Sequence, residues 1–399
     1  MTTNTTTDTD WQGRFTDAMM GSVALPQRML ERGDGCWVWD VDGKRYLDFL
    51  AGIAVNSLGH AHPALVDAVT RQIGTLAHVS NYFASPPQLA LAEKLREITG
   101  AGERGRVYFA NSGAEAIEAA VKLARLNNRG GRRRILTLVN SFHGRTMGSL
   151  SLTGKPALRQ DFEPLLPFVD HIDTTIEALE HAMGDDVAAL VLEPIKGEAG
   201  VVDLPAGYLK RARELTSEHG ALLIVEEIQT GIGRTGKWFA YQHEGVIPDA
   251  VATAKGLAGG VPIGALITFG GTSDLFRPGQ HGSTFGGNPL ATAAGLAVLT
   301  EIEASGLVEN AARRGAELRE IILGLRSPLV TEVRGQGLLI GVGLAEPVAS
   351  DVVASALQLG LIINAPNDTS IRLAPPLIIG DAEVAEFRTL FTRALEAAV

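Results

Sequence analysis

The chain has a single cysteine, Cys36, which rules out a disulfide within it and any metal site built on cysteine thiolates. A reducing compartment suits such a chain, and the expected location is the cytoplasm. Positive charge is scarce as well, since 35 Lys and Arg stand against 45 Asp and Glu for a formal net charge of −10. A general affinity for nucleic acid or for an anionic membrane needs a basic face, so neither partner is expected. The one basic run, Arg132-Arg133-Arg134, reads as solvated. No window is long and apolar enough to cross a bilayer. The stretch Met1 to Asp10 is threonine-rich and acidic, without the basic start and apolar centre of a secretory signal, and residues 1–12 are expected to form a disordered tail. No internal repeat is visible, and no group of histidines and acids has metal-ligand spacing, so no metal is expected.

What remains is an ordinary globular composition, with 399 residues and 45% apolar content, enough for a large core and two lobes. An Asp42-Gly43 turn between two apolar runs within Trp37 to Phe49 predicts a hairpin, placed in an N-terminal segment, 13–59, of the small lobe. From 60 to 290, strand candidates alternate with helical patterns: Val107 to Ala110, Ile135 to Val139, Val187 to Leu192, Leu222 to Val225, Val251 to Thr253 and Ile263 to Phe269. Such alternation predicts an α/β domain with a mostly parallel central sheet. Residues 291–399 change texture and are read as a smaller α+β part. It holds a strand near Leu338 to Val342, a helix from Ser350 to Leu359, and a last helix N-capped by Asp381 with Val384, Phe387, Phe391 and Leu395 on one face. A ligand is expected between the lobes, near the carboxyl ends of the parallel strands.

Four windows carry chemistry. In Pro248 to Gly260 an apolar strand delivers Lys255 into a cage of small residues, where burial penalises the ammonium and a neutral amine can attack an aldehyde. A surface lysine beside a glycine-rich loop has the same local sequence. The strand Ala221 to Val225 ends on Glu226 and Glu227; a desolvated carboxylate must find a cation or neutralise itself, unless both acids simply meet water. Val107 to Ala110, then Asn111-Ser112-Gly113, then Ala114 to Leu126 read as strand, tight turn and helix. The free amides of that helix start suit a phosphate, although an ordinary capped helix looks alike. Phe142 follows another strand end and could stack on a ring or be plain core.

Taken together, Asn111-Ser112-Gly113-Ala114-Glu115-Ala116, Phe142-His143-Gly144-Arg145-Thr146, Glu193-Pro194-Ile195-Lys196-Gly197-Glu198, Glu227-Ile228-Gln229-Thr230-Gly231, Lys255-Gly256-Leu257 and Gly282 to Pro289 resemble, in order, the class III pyridoxal-phosphate aminotransferases, from about Gly35 onward. The resemblance implies fold type I and pyridoxal 5'-phosphate held by Lys255, with Glu226 facing the pyridine nitrogen and Phe142 stacked on the ring. Gln229 would reach the phenolic oxygen, and Ser112, Gly113 and Ala114 the phosphate. Thr284 would reach the phosphate of a neighbouring subunit, which implies a homodimer with active sites at its interface. The implied reaction moves the distal amino group of acetylornithine to 2-oxoglutarate by ping-pong kinetics, in arginine biosynthesis. Arg145 and Arg372 would bind the carboxylates, Glu198 would pair with Arg372 until glutamate arrives, and Ser283 would lie near the substrate. His143 is read as structural. Two positions depart from the family pattern: Glu226 replaces an aspartate, and Ile117 a polar residue. Rival readings are an aminotransferase for succinylornithine, ornithine, 4-aminobutyrate or succinyl-diaminopimelate, and a homologue that binds the cofactor without catalysis.

Overall fold

Six strands that all point the same way, with a seventh reversed among them, organise the molecule. The computed structural model describes residues 10–128 and 131–398. The central sheet runs Arg106–Ala110, Gly264–Thr268, Ala250–Thr253, Leu222–Glu226, Val187–Leu192, Arg134–Leu138, Val169–Ile172, and only Gly264–Thr268 is antiparallel to its neighbours. Val187–Leu192 and Leu222–Glu226 are buried along their whole length, as expected of central strands covered on both faces by helices. The mostly parallel sheet read from the sequence is therefore present, with Val169–Ile172 as a further edge strand lacking a strong apolar run.

The hairpin Trp37–Asp40 and Arg45–Asp48 forms with Trp37 opposite Leu47 and Trp39 opposite Arg45. Its second strand pairs in parallel with Leu361–Ile362, so the N-terminal segment and the C-terminal part share one sheet. A third sheet joins Val330–Gln336, Leu339–Leu344, Ser370–Leu373 and Asn364–Asn367. Helix Pro289–Ala304 starts with proline in its first turn, and its N-cap Asn288 accepts the Ala291 amide at 2.9 Å.

Three local expectations are corrected. Met1 to Thr9 of the expected tail lie outside the described residues, but its last part is ordered: Asp10 caps helix Trp11–Ala18 by accepting the Gly13 amide at 2.9 Å. The run Arg132 to Arg134 is not solvated throughout. Arg134 Nε donates to Asp170 at 2.6 Å and Arg132 Nε to the His219 carbonyl at 3.1 Å, because the start of an inner strand puts acceptors from neighbouring segments beside both. The N-cap of the last helix, Asp381–Glu396, is Gly380. Asp381 is its first helical residue, and its carboxylate is taken by Arg314. The apolar face of that helix is as read, with Val384, Phe387, Phe391 and Leu395 all buried. Among the described residues no single helix is long and apolar enough to cross a membrane.

Candidate active site

The carboxyl ends of the parallel strands open into a cavity of about 400 Å³. Five of the six ends supply part of its wall. Ala110 hands over to Ser112, Gly113 and Ala114, while Leu138 leads to Phe142, His143 and Arg145. Leu192 leads to Glu193, Glu226 closes its own strand, and Thr253 leads through Ala254 to Lys255. This is where a ligand binds in open α/β sheets, at the place where strand order switches direction.

Lys255 opens a short 3₁₀ turn and adopts φ +43°, in the left-handed region that a lysine seldom occupies, a strained backbone of the kind held at functional positions. Its amine has no hydrogen bond to any described residue. Burial pushes its pKa down, with Glu198 and Glu226 pulling the other way. The neutral amine that the sequence required is thus favoured by desolvation.

At the helix Gly113–Leu126, Ser112 is the N-cap and its Oγ accepts the Glu115 amide at 3.2 Å. The amides of Gly113 and Ala114 are left at the cavity wall. Space there is tight: a Cβ at Gly113 would lie 2.7 Å from Ile228 Cδ1, and one on Gly264, beneath the turn, 2.2 Å from the Ser112 carbonyl oxygen. Two unpaired amides at the positive end of a helix form an anion cradle.

The two strand-end acids part company. Glu226 faces the cavity, accepting the Ile228 amide at 2.7 Å on Oε1, with Oε2 at 3.2 Å from His143 Nδ1. Glu227 turns into the core, where Thr230 Oγ1 at 2.5 Å and the Ala240 and Tyr241 amides at 2.9 and 2.8 Å donate to it; burial, against those three bonds, lifts its pKa to about 7. His143 is fully buried, and its Nε2 lies 3.1 Å from Thr137 Oγ1, so a ring read as structural also props the acid that faces the cavity.

Sequence reasoning used Glu193 only as part of a motif. It is 4% exposed, and burial together with the Glu226 charge pushes its pKa well above the usual carboxylate range. His143, Glu193 and Glu226 bring one ligand-type atom each to within 4.8 Å of one another, a juxtaposition that spacing does not predict. The signal that could have found Glu193 is the one applied to Glu226, an acid at the end of a wholly apolar strand.

Arg372, in strand Ser370–Leu373, is 1% exposed and does not line the cavity. It is ion-paired to Glu198, and it donates to Gln229 Oε1 at 3.1 Å and, through Nε, to Asn364 Oδ1 at 3.1 Å. Gln229 Nε2 in turn donates to Glu198 at 3.3 Å. Burial raises the Glu198 pKa, but the Arg372 charge and hydrogen bond outweigh it and hold the carboxylate below its ordinary range. Arg145 is exposed at the mouth, its guanidinium 5.7 Å from the Phe142 ring centroid. Ser283 and Thr284 stand outside the cavity. Ser283 Oγ accepts from Asn111 and from the Gly286 amide at 3.0 Å each, and Thr284 is exposed.

An unbonded lysine amine, an anion cradle, an aromatic face and an acid at the far end fit pyridoxal 5'-phosphate. The chain belongs to the class-III aminotransferases, whose family model matches residues 20–395. It is 50% identical over its whole length, and 99% of that protein's, to an acetylornithine aminotransferase of Mycobacterium tuberculosis. It is 51% identical over 94% of its length, and 92% of the relative's, to an acetylornithine aminotransferase of Streptomyces coelicolor. Among solved structures, acetylornithine aminotransferase from Elizabethkingia anophelis superposes with a TM-score of 0.86 at 35% identity, covering 96% of this chain and 98% of that one. Ornithine aminotransferase from Toxoplasma gondii ME49 superposes at 0.92 and 34% identity, covering 96% and 94%. The cofactor of the chain is accordingly pyridoxal 5'-phosphate.

Proposed function

We propose that the chain transfers the distal amino group of N2-acetyl-L-ornithine to 2-oxoglutarate, reversibly, giving N-acetylglutamate 5-semialdehyde and glutamate, in arginine biosynthesis. The observation that carries the reading is the buried Arg372 ion-paired to Glu198 beside a cavity with a second arginine at its mouth. An enzyme of this kind meets one donor whose reacting carbon bears no carboxylate and one acceptor whose reacting carbon does. Arg372, desolvated and alone, would be costly in the presence of the donor, and Glu198 neutralises it. When glutamate or 2-oxoglutarate enters, the α-carboxylate takes Arg372 and Glu198 moves aside, while Arg145 holds the distal carboxylate.

Bound pyridoxal 5'-phosphate supplies an aldehyde and a protonated ring that draws electrons from the substrate carbon. Lys255 Nζ would hold the cofactor, and as a free amine it would be the group placed to move a proton at the substrate carbon. Glu226 keeps the ring nitrogen protonated, with His143 fixing its carboxylate. Phe142 holds the ring plane, Ser112, Gly113 and Ala114 bind the phosphate, and Gln229 is the group for the phenolic oxygen. The two half-reactions share one site in turn, hence ping-pong kinetics.

The reading includes a cytoplasmic homodimer in which Thr284 reaches the partner's phosphate and Ser283 borders the substrate. Its support is the exposed loop carrying Thr284 and Phe285, the latter 59% exposed. It also takes 60–290 as the cofactor lobe and 13–59 with 291–399 as the small lobe, supported by the sheet those two segments share. The test is a donor panel of acetylornithine, ornithine, succinylornithine and 4-aminobutyrate with 2-oxoglutarate. Acetylornithine should give the highest kcat/KM, and a clear preference for 4-aminobutyrate would reject the reading.

A further inference from the structure

Glu193 spends both carboxylate oxygens on backbone amides of two separate segments, Phe142 in the cavity wall and Gly197 just before Glu198. Oε1 accepts the Phe142 amide at 2.8 Å, and Oε2 accepts the Gly197 amide at 3.3 Å. No cation pairs with it among the described residues, and it sits beside a second buried acid, Glu226. An apolar residue or an amide would avoid that repulsion; what the acid offers here is two oxygens that both accept, where an amide would set one N–H against another.

The two amides it holds matter differently. Phe142 presents its ring to the cavity from the loop after Arg134–Leu138. Gly197 directly precedes Glu198, the partner of Arg372. On the other side, Lys155 Nζ donates to the Glu198 carbonyl at 2.5 Å. The backbone at 197–198 is thereby pinned before and after the Glu198 side chain, which leaves rotation of that side chain as the available movement.

We propose that Glu193 is a positioning residue that ties the plane of the aromatic wall and the pivot of the Glu198 switch to one carboxylate. The switch half of this inference rests on the function proposed above; the Phe142 half rests only on cofactor binding. Exchange of one oxygen for an amide NH₂ in Glu193→Gln keeps the volume but turns one acceptor into a donor facing an N–H. Loss of one hydrogen bond at the pivot should lower kcat/KM for acetylornithine about tenfold while that for glutamate falls less than about threefold. The visible circular dichroism of the loaded protein should change at the same time, because the ring wall shifts. Glu193→Asp keeps both acceptors and the charge on a shorter stem; it should show the same two effects, and it serves as the test should the Gln variant fail to fold.

Glu198→Gln is measured alongside. Equal losses in both half-reactions for the Glu193 variant, with unchanged dichroism, would overturn the proposal even where Glu198→Gln still separates the half-reactions. If Glu198→Gln separates nothing, the switch itself is wrong, and the proposal then fails with it on that side, leaving the dichroism to decide the Phe142 side alone.

Discussion

The cavity has two faces built on different plans. The face proposed to hold the cofactor comes from a single sheet, with each group at the end of its own parallel strand, within a few residues of the last hydrogen-bonded pair. The groups proposed to read carboxylates lie on and behind the other face and are assembled across sheets. Arg372 arrives from the C-terminal sheet, and Glu198 from a turn after Ile195–Lys196; Gln229 follows the end of a central strand. One face is pre-set by the scaffold, and the other is a set of charges that exchange partners in the proposed switch. A site serving two unlike substrates needs that division, since the chemistry is common to both while the recognition differs.

The largest effect should come from the fixed face. Lys255→Ala removes the proton carrier, and activity should fall by at least about 10²–10⁴-fold, the range that positioned acid–base groups supply. The visible band of the purified protein should vanish, and borohydride should no longer fix the cofactor to the chain. Retention of a lysine-linked cofactor in that variant would break the assignment. Next comes Glu226. Loss of the carboxylate in Glu226→Ala should cost about 10²-fold or more in kcat, whereas Glu226→Asp keeps the charge and should stay within about tenfold. Equal activity in the two variants would remove Glu226 from its role.

On the exchanging face the effects should be smaller and selective. Glu198→Gln leaves Arg372 with only Asn364 and neutral amides beside it. Breaking a buried pair costs about 3–5 kcal/mol, but the Glu198 side chain is 26% exposed, so solvent and Gln229 offset part of this. The half-reaction with acetylornithine should slow about tenfold or more, and that with glutamate should be much less affected. Stopped-flow bleaching by each donor separates the two, and the reverse order would reject the switch.

The same division decides what could be read from the sequence. Lys255, Glu226 and Ser112 to Ala114 announce themselves because strand, turn and reactive residue are adjacent in the chain, so burial and chemistry are written in one window. Arg372 and Glu198 lie 174 positions apart, and nothing local to either joins them; only resemblance to the family suggested the pair. Glu193 carried the same strand-end signal as Glu226, but its role did not show, since the amide of Phe142 that gives it meaning is 51 positions away. Asp381 misled because a good capping residue was near the helix start, yet Arg314, brought in by another helix, took its carboxylate. His143 was legible as structural but not as a prop for Glu226, because Thr137 and Glu226 flank it only once the strands are aligned.

The least dramatic expectation concerns Glu227, the twin of Glu226 that faces away from the chemistry. Its pKa in the folded protein stands at about 7 against an ordinary 4.5, because burial outweighs three donated hydrogen bonds. Between those two values the folded chain binds more protons at this carboxyl than the unfolded chain does, so its contribution is fully present below about 4.5 and is lost as pH rises to 7. Glu227→Gln should cost about 1–3 kcal/mol in stability, since the amide nitrogen cannot accept from the Ala240 or Thr230 donors. It should also flatten the fall in stability across that window, while kcat for acetylornithine changes little. Urea unfolding of wild type and variant at several pH values gives the difference directly. An unchanged slope would mean that Glu227 titrates alike in folded and unfolded chains; a large loss of kcat without loss of stability would put Glu227, and not only Glu226, on the side of the chemistry.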